Sequence, residues 1–98
     1  MMINLKNNYD VAFAIELFEF IRYIATLFTF EELLKTEVRN HVNTIYQKRL
    51  DSYIDVFFTY TADKVNIFDV LKITFQCKQT KKTETFTIFE PDFCKITN

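Results

Sequence analysis

Ser52-Tyr53-Ile54-Asp55-Val56-Phe57-Phe58-Thr59-Tyr60-Thr61 is where the hydrophobic period of this 98-residue chain changes from that of a helix to that of a strand. Ile54, Val56, Phe58 and Tyr60 share one parity, and Tyr53, Asp55, Phe57, Thr59 and Thr61 share the other. That alternation marks a half-buried strand. Upstream, apolar residues recur at helical spacing; downstream, the period of two persists. The order predicts an α+β fold: an N-terminal helical hairpin packed on a small antiparallel sheet of three to four strands, in the order ααβββ. One domain over 1–98 is expected, with a helical part at 9–50, the sheet at 52–90 and a tail at 91–98.

Upstream of the switch, Val11 to Phe28 reads as a helix, with Asn8 or Asp10 as its cap. Glu19, Arg22 and Thr26 lie on one narrow side, and the remaining arc of roughly 240° is apolar. A helix this widely apolar needs cover on two sides, from its own chain or from a second subunit. Thr29-Phe30-Glu31-Glu32 is a capping box, with Phe28 and Leu33 spaced as its hydrophobic staple. It predicts a second helix from Phe30 to about Arg49, with Leu34, Val38, Val42 and Ile45 on the buried stripe.

Downstream, Ala62-Asp63-Lys64 reads as a turn. Leu71, Ile73, Phe75 and Cys77 alternate with polar residues in a clear strand. Asp69 interrupts the parity of Val65 and Ile67, which predicts a bulge or bend near Phe68–Val70. Gln79-Thr80-Lys81-Lys82 reads as a hairpin loop, and Thr83 to Glu90 as a return strand with Phe86 and Ile88 inward. Pro91 ends the ladder. The tail is expected to dock through Phe93 and Ile96 or to fray.

The chain contains no glycine. It therefore has no Walker loop, no GxGxxG turn and no GxSxG elbow, because each needs backbone that only glycine supplies cheaply. Twelve basic and thirteen acidic residues give a formal charge of −1. That balance argues against a chain built mainly to grip nucleic acid and against an acidic mimic of it. Phe, Tyr, Ile, Asn and Lys are abundant, while Gly, Ala, Arg and Pro are scarce. This usage follows A/T-rich codons and points to a low-GC bacterium, a phage or another A/T-rich genome. Glu16, Glu19 and Arg22 interrupt the longest apolar stretch, so no membrane span is expected. Cys77 and Cys94 lack a CxxC pairing, which suits reduced thiols in a cytoplasmic location.

Few residues offer chemistry. His41 is the single histidine, without a metal-spaced partner or a nucleophile, and reads as structural or partly exposed. Glu16 and Glu19 could divide acid and base roles, but with Arg22 they also make a solvated stripe. Cys77 has inward parity and reads as an inert buried thiol. No catalytic residue, metal site or cofactor is assigned. Lys72, Lys78, Lys81 and Lys82 form a basic hairpin able to meet a nucleic-acid groove, or simply to guard sheet edges.

Twelve Phe and five Tyr exceed what so small a core needs,. Tyr53, Phe57, Phe68 and Phe89 carry the outward parity, where either the tail or another protein must cover them. The leading expectation is a small non-enzymatic protein-binding module using these four aromatics. A phage or mobile-element inhibitor of a host defence protein, such as an anti-CRISPR, is one instance. The partners expected are a host protein, a second copy as homodimer, or both. The alternatives are a nucleic-acid-binding accessory protein using the lysine hairpin, and a small enzyme or ligand-binding domain using His41.

Overall fold

The computed structural model describes residues 10–52 and 55–97. Helices α1 (Asp10–Ala25), α2 (Phe30–Leu33) and α3 (Thr36–Asp51) precede strands β1 (Val56–Val65), β2 (Phe68–Cys77) and β3 (Thr83–Phe89), and α4 (Glu90–Thr97) follows. The strands form an antiparallel meander in the order β1-β2-β3. The fold is α+β, with helices against one face of the sheet. Tyr53 and Ile54, expected on opposite faces, lie outside the described residues, as does the Asn8 cap.

The inward parity holds as the alternation predicts. Phe58 stands opposite Phe75, Tyr60 opposite Ile73, and Ile73 opposite Phe86, all buried. Phe20 of α1 fills the space above them, its ring 4.6 Å from Phe58 and 4.8 Å from Tyr46 of α3. Tilted and edge-on ring pairs of this kind add about 0.5–1.5 kcal/mol each beyond their buried area. Much of the aromatic surplus is therefore spent inside the protein. The cover that α1 calls for comes from its own chain: among its described side chains, the sheet, α3 and α4 leave Ile15 as the exposed large apolar residue.

The capping box forms as written. The Thr29 hydroxyl accepts from the Glu32 N–H at 3.2 Å, and the Glu32 carboxylate accepts from the Thr29 N–H at 2.9 Å. Those hydrogen bonds, the backbone one first, hold the Glu32 carboxyl below its ordinary pKa. The helix it starts, however, is one turn long. Lys35 is extended (φ −79°, ψ 138°) and begins α3 without a side-chain cap. The break leaves the Leu33 carbonyl without a continuing helical donor, and the Tyr60 hydroxyl donates to it at 3.0 Å. Burial pushes the Tyr60 hydroxyl up to about 12. Of the expected stripe, Val42 is buried and Leu34 and Val38 pack against the core, while the new helix axis turns Tyr46 and Leu50 inward and leaves Ile45 exposed.

Two expectations for the sheet fail for one reason. Ala62-Asp63-Lys64 is strand, and the register runs without a bulge from Val65–Phe68 to Val56–Cys77. Asp63 pairs with Lys72 at 3.2 Å and Lys64 with Asp69 at 3.0 Å. The charges that look like turn or interruption in one dimension are cross-strand partners in three. The turn itself is Asn66-Ile67, with Asn66 at φ 57°. Asparagine is the residue other than glycine that tolerates this region best. The tail is not frayed: Pro91 occupies the first turn of α4, where it needs no amide donor, and Phe93 is buried against Phe30,.

Side chains guard one edge of the sheet. Asn43 of α3 accepts from the Tyr60 N–H at 2.8 Å and donates to the Tyr60 carbonyl at 3.0 Å. One turn later, Gln47 accepts from the Phe58 N–H at 2.6 Å and donates to the Val56 carbonyl at 3.0 Å. Two amides four residues apart on a helix thus stand in for a neighbouring strand along β1.

Candidate functional site

The outward face divides the predicted aromatics into separate places. Its middle is threonine: Thr59, Thr74 and Thr85 lie in one row across the strands, with the Thr74 and Thr85 hydroxyls 3.0 Å apart. Thr61, Lys72 and Thr87 form the next row. Phe57 lies at one end, 48 % exposed, with the Lys78 ammonium 4.8 Å from its ring centroid. Phe68 and Phe89 lie at the other end, flanking the fully buried Val70. Eight residues of β2 separate the two ends, roughly 26 Å at about 3.3 Å per residue,. Phe57, Phe68 and Phe89 do keep their outward parity, but they cannot act as one patch.

At the Phe68 end the sheet meets the helices in a cleft of about 370 Å³. Phe30 and Leu34 of the α2 region, Ile67 and Phe68 of the β1–β2 turn, and Phe89 and Pro91 at the start of α4 make its apolar lining. Glu31, Asp69 and Glu90 add three carboxylates. Ile67 is 82 % and Phe68 58 % exposed. Phe30, Glu31 and Glu90 also line an adjoining hollow of about 400 Å³ that reaches Phe28, Phe93 and Cys94. The break between α2 and α3 and the early turn into α4 bring these distant segments together. Sequence parity identifies Phe68 and Phe89, but no pattern places Phe30, Leu34 or Ile67 beside them.

The lysines of the predicted basic hairpin are spread and partly neutralised. Lys72 is on the outer face, paired with Asp63. Lys78 bonds Asp51 at 2.7 Å and approaches Asp55 at 3.9 Å. The Lys78 hydrogen bond, with a second from Gln47, holds the Asp51 carboxyl below its usual value. Lys81 and Lys82 are exposed in the β2–β3 loop, where Lys81 takes φ 63° in place of a glycine. No single basic face results.

His41 is exposed on α3. Glu16 accepts from the Tyr46 hydroxyl at 3.4 Å, and Glu19 lies 3.9 Å from Arg22, so both carboxylates have structural partners. No group of three potential metal ligands occurs among the described residues. Among them also, no helix is long and apolar enough to cross a membrane. Cys77 is only half-buried, not sealed in the core as its parity suggests, because it sits at the mouth of the β2–β3 loop. The Thr80 hydroxyl, then the Thr80 and Gln79 backbone amides, stabilise its thiolate and lower its pKa. Cys94 is exposed on α4.

No known protein family, curated protein or solved structure matches the chain.

Proposed function

We propose that the chain is a non-enzymatic protein-binding module whose contact surface is the cleft between α2, the β1–β2 turn and the start of α4. The observation that carries this reading is the exposure of Ile67 and Phe68 at the lip of an apolar cleft. Large apolar side chains grouped beside a concavity favour a partner that removes them from water. Phe57, at the far end of the sheet, leaves the proposed surface; Phe68 and Phe89 remain and Ile67 joins them, while Tyr53 lies outside the described residues. A/T-rich residue usage and small size suit an inhibitor of a host protein carried by a phage or mobile element, an anti-CRISPR being one form. The nucleic-acid alternative is weakened by the aspartates that hold Lys72 and Lys78.

Affinity capture from a low-GC bacterial lysate tests the proposal when wild type is compared with Phe68→Ala/Ile67→Ser and with His41→Gln. The cleft variant should lose the captured protein, since removing interface anchors costs about 2 kcal/mol or more, roughly thirtyfold in affinity. His41→Gln should retain it. Equal capture by all three refutes the cleft, and loss confined to His41→Gln favours the enzyme alternative.

A further inference from the structure

The two edges of the sheet are finished differently. In the β2–β3 hairpin the Cys77 N–H donates to the Lys82 carbonyl at 2.9 Å. In an antiparallel ladder the backbone groups of successive residues point to alternate sides. Following the register from Cys77–Lys82, the backbones of Glu84, Phe86 and Ile88 turn toward β2. Those of Thr83, Thr85, Thr87 and Phe89 turn away from it. The same alternation on β1 sends Phe58 and Tyr60 outward, where Gln47 and Asn43 meet them. On β3, among the described residues, no hydrogen bond reaches the outward backbone groups of Thr85 or Thr87.

This open edge is short and lightly protected,. From Thr83 to Phe89 it carries no lysine, proline or bulge, and Glu84 is its one charge. Exposed strands of high β-propensity without such devices pair readily with another strand. We propose that the β3 edge pairs antiparallel with the β3 edge of a second copy of this chain, joining the two sheets into one. This pairing does not depend on the cleft, although Phe89 borders both.

A second copy is the occupant because the edge complements itself. With a two-fold axis at Phe86, Thr85 of each copy pairs with Thr87 of the other, and Thr83 with Phe89. Every outward amide and carbonyl in that span meets its counterpart. The side chains of these threonines are small, exposed and on the outer face, so the two threonine faces run on into each other. Glu84 comes opposite Ile88, so the one charge of the strand does not meet its like. A seven-residue ladder is smaller than the standard interface of about 1,200–2,000 Å²,. The pair should accordingly separate on dilution.

Sedimentation equilibrium over rising concentration, combined with amide exchange at Thr85 and Thr87, tests the proposal. The wild-type mass should climb from one chain toward two while both amides become protected. Thr87→Pro removes an outward donor without taking a bond from the ladder to β2. Thr85→Lys with Thr87→Lys instead sets like charges face to face, and covers the case in which the proline variant misfolds. Either variant, folded by circular dichroism, should stay at the mass of one chain. A wild type that remains single at the highest concentration overturns the proposal. So does a dimer that survives in both folded variants, or one in which the two amides still exchange freely. Protection of those amides only when a different protein is added would also overturn it, by assigning the edge to another strand.

Discussion

Replacing Asn43 with alanine should destabilise the protein by about 1.5 kcal/mol, although Asn43 belongs to no core cluster. Its amide makes two hydrogen bonds to one residue, at 2.8 Å to the Tyr60 N–H and 3.0 Å to the Tyr60 carbonyl. Each is worth about 1 kcal/mol net, and more where the abandoned group is shielded from water. Alanine returns about 0.5 kcal/mol through its better helix propensity. Gln47→Ala should cost more, about 2–3 kcal/mol, because Gln47 serves the Phe58 N–H, the Val56 carbonyl and Asp51 and gains less from propensity,. Urea denaturation should show lower midpoints at unchanged slope, and Tm should fall by about 4–8 °C per kcal/mol. His41→Ala is the control: the same helix, an exposed position, and an effect within about 0.5 kcal/mol. If Asn43→Ala is as mild as His41→Ala, the side-chain edge is ornamental and the reasoning fails.

Thr29→Ala should cost about 0.5–2 kcal/mol in chemical denaturation, because the one-turn α2 depends on its cap more than a long helix would; a neutral result would mean that Phe30 and Leu33 hold the turn unaided. Acid should destabilise the fold as well. Glu32, Asp51 and Asp63 all have folded pKa values below their ordinary ones, the last chiefly through the Lys64 backbone amide. Their stabilisation is present above the unfolded carboxylate range and is lost as pH falls through the folded values. Melting followed from about pH 6 to pH 3 should show the decline, and Lys78→Met should reduce the part owed to Asp51.

The capping box at Thr29 is legible because its donors and acceptors lie within four residues, and the parity of β1–β3 is legible because pleating imposes it whatever the neighbours. The break at Lys35 has no such local cause. It is supported by the Tyr60 hydroxyl, which arrives at the Leu33 carbonyl from 27 residues away in sequence. Asp63, Lys64 and Asp69 mislead because a charge on a strand is indistinguishable from a turn residue until its cross-strand partner is known. The candidate site has the same limit. Phe68 and Phe89 follow from parity, while Ile67 matters only because the turn is Asn66-Ile67 and not Ala62-Asp63-Lys64. Phe57, equally outward, is carried to the far end by the uninterrupted length of β2.

Because Asn43 and Gln47 terminate the β1 side of the sheet, association through strand pairing has a single direction available. A sheet with two bare margins would propagate from copy to copy as a ribbon without a natural end. In the proposed pair, two molecules meeting at β3 would consume both bare margins, and each would present its Asn43 and Gln47 side to whatever comes next. Growth would stop at the proposed pair. A helix carrying two amides one turn apart would thus set an upper bound on the size of an assembly built by strand pairing.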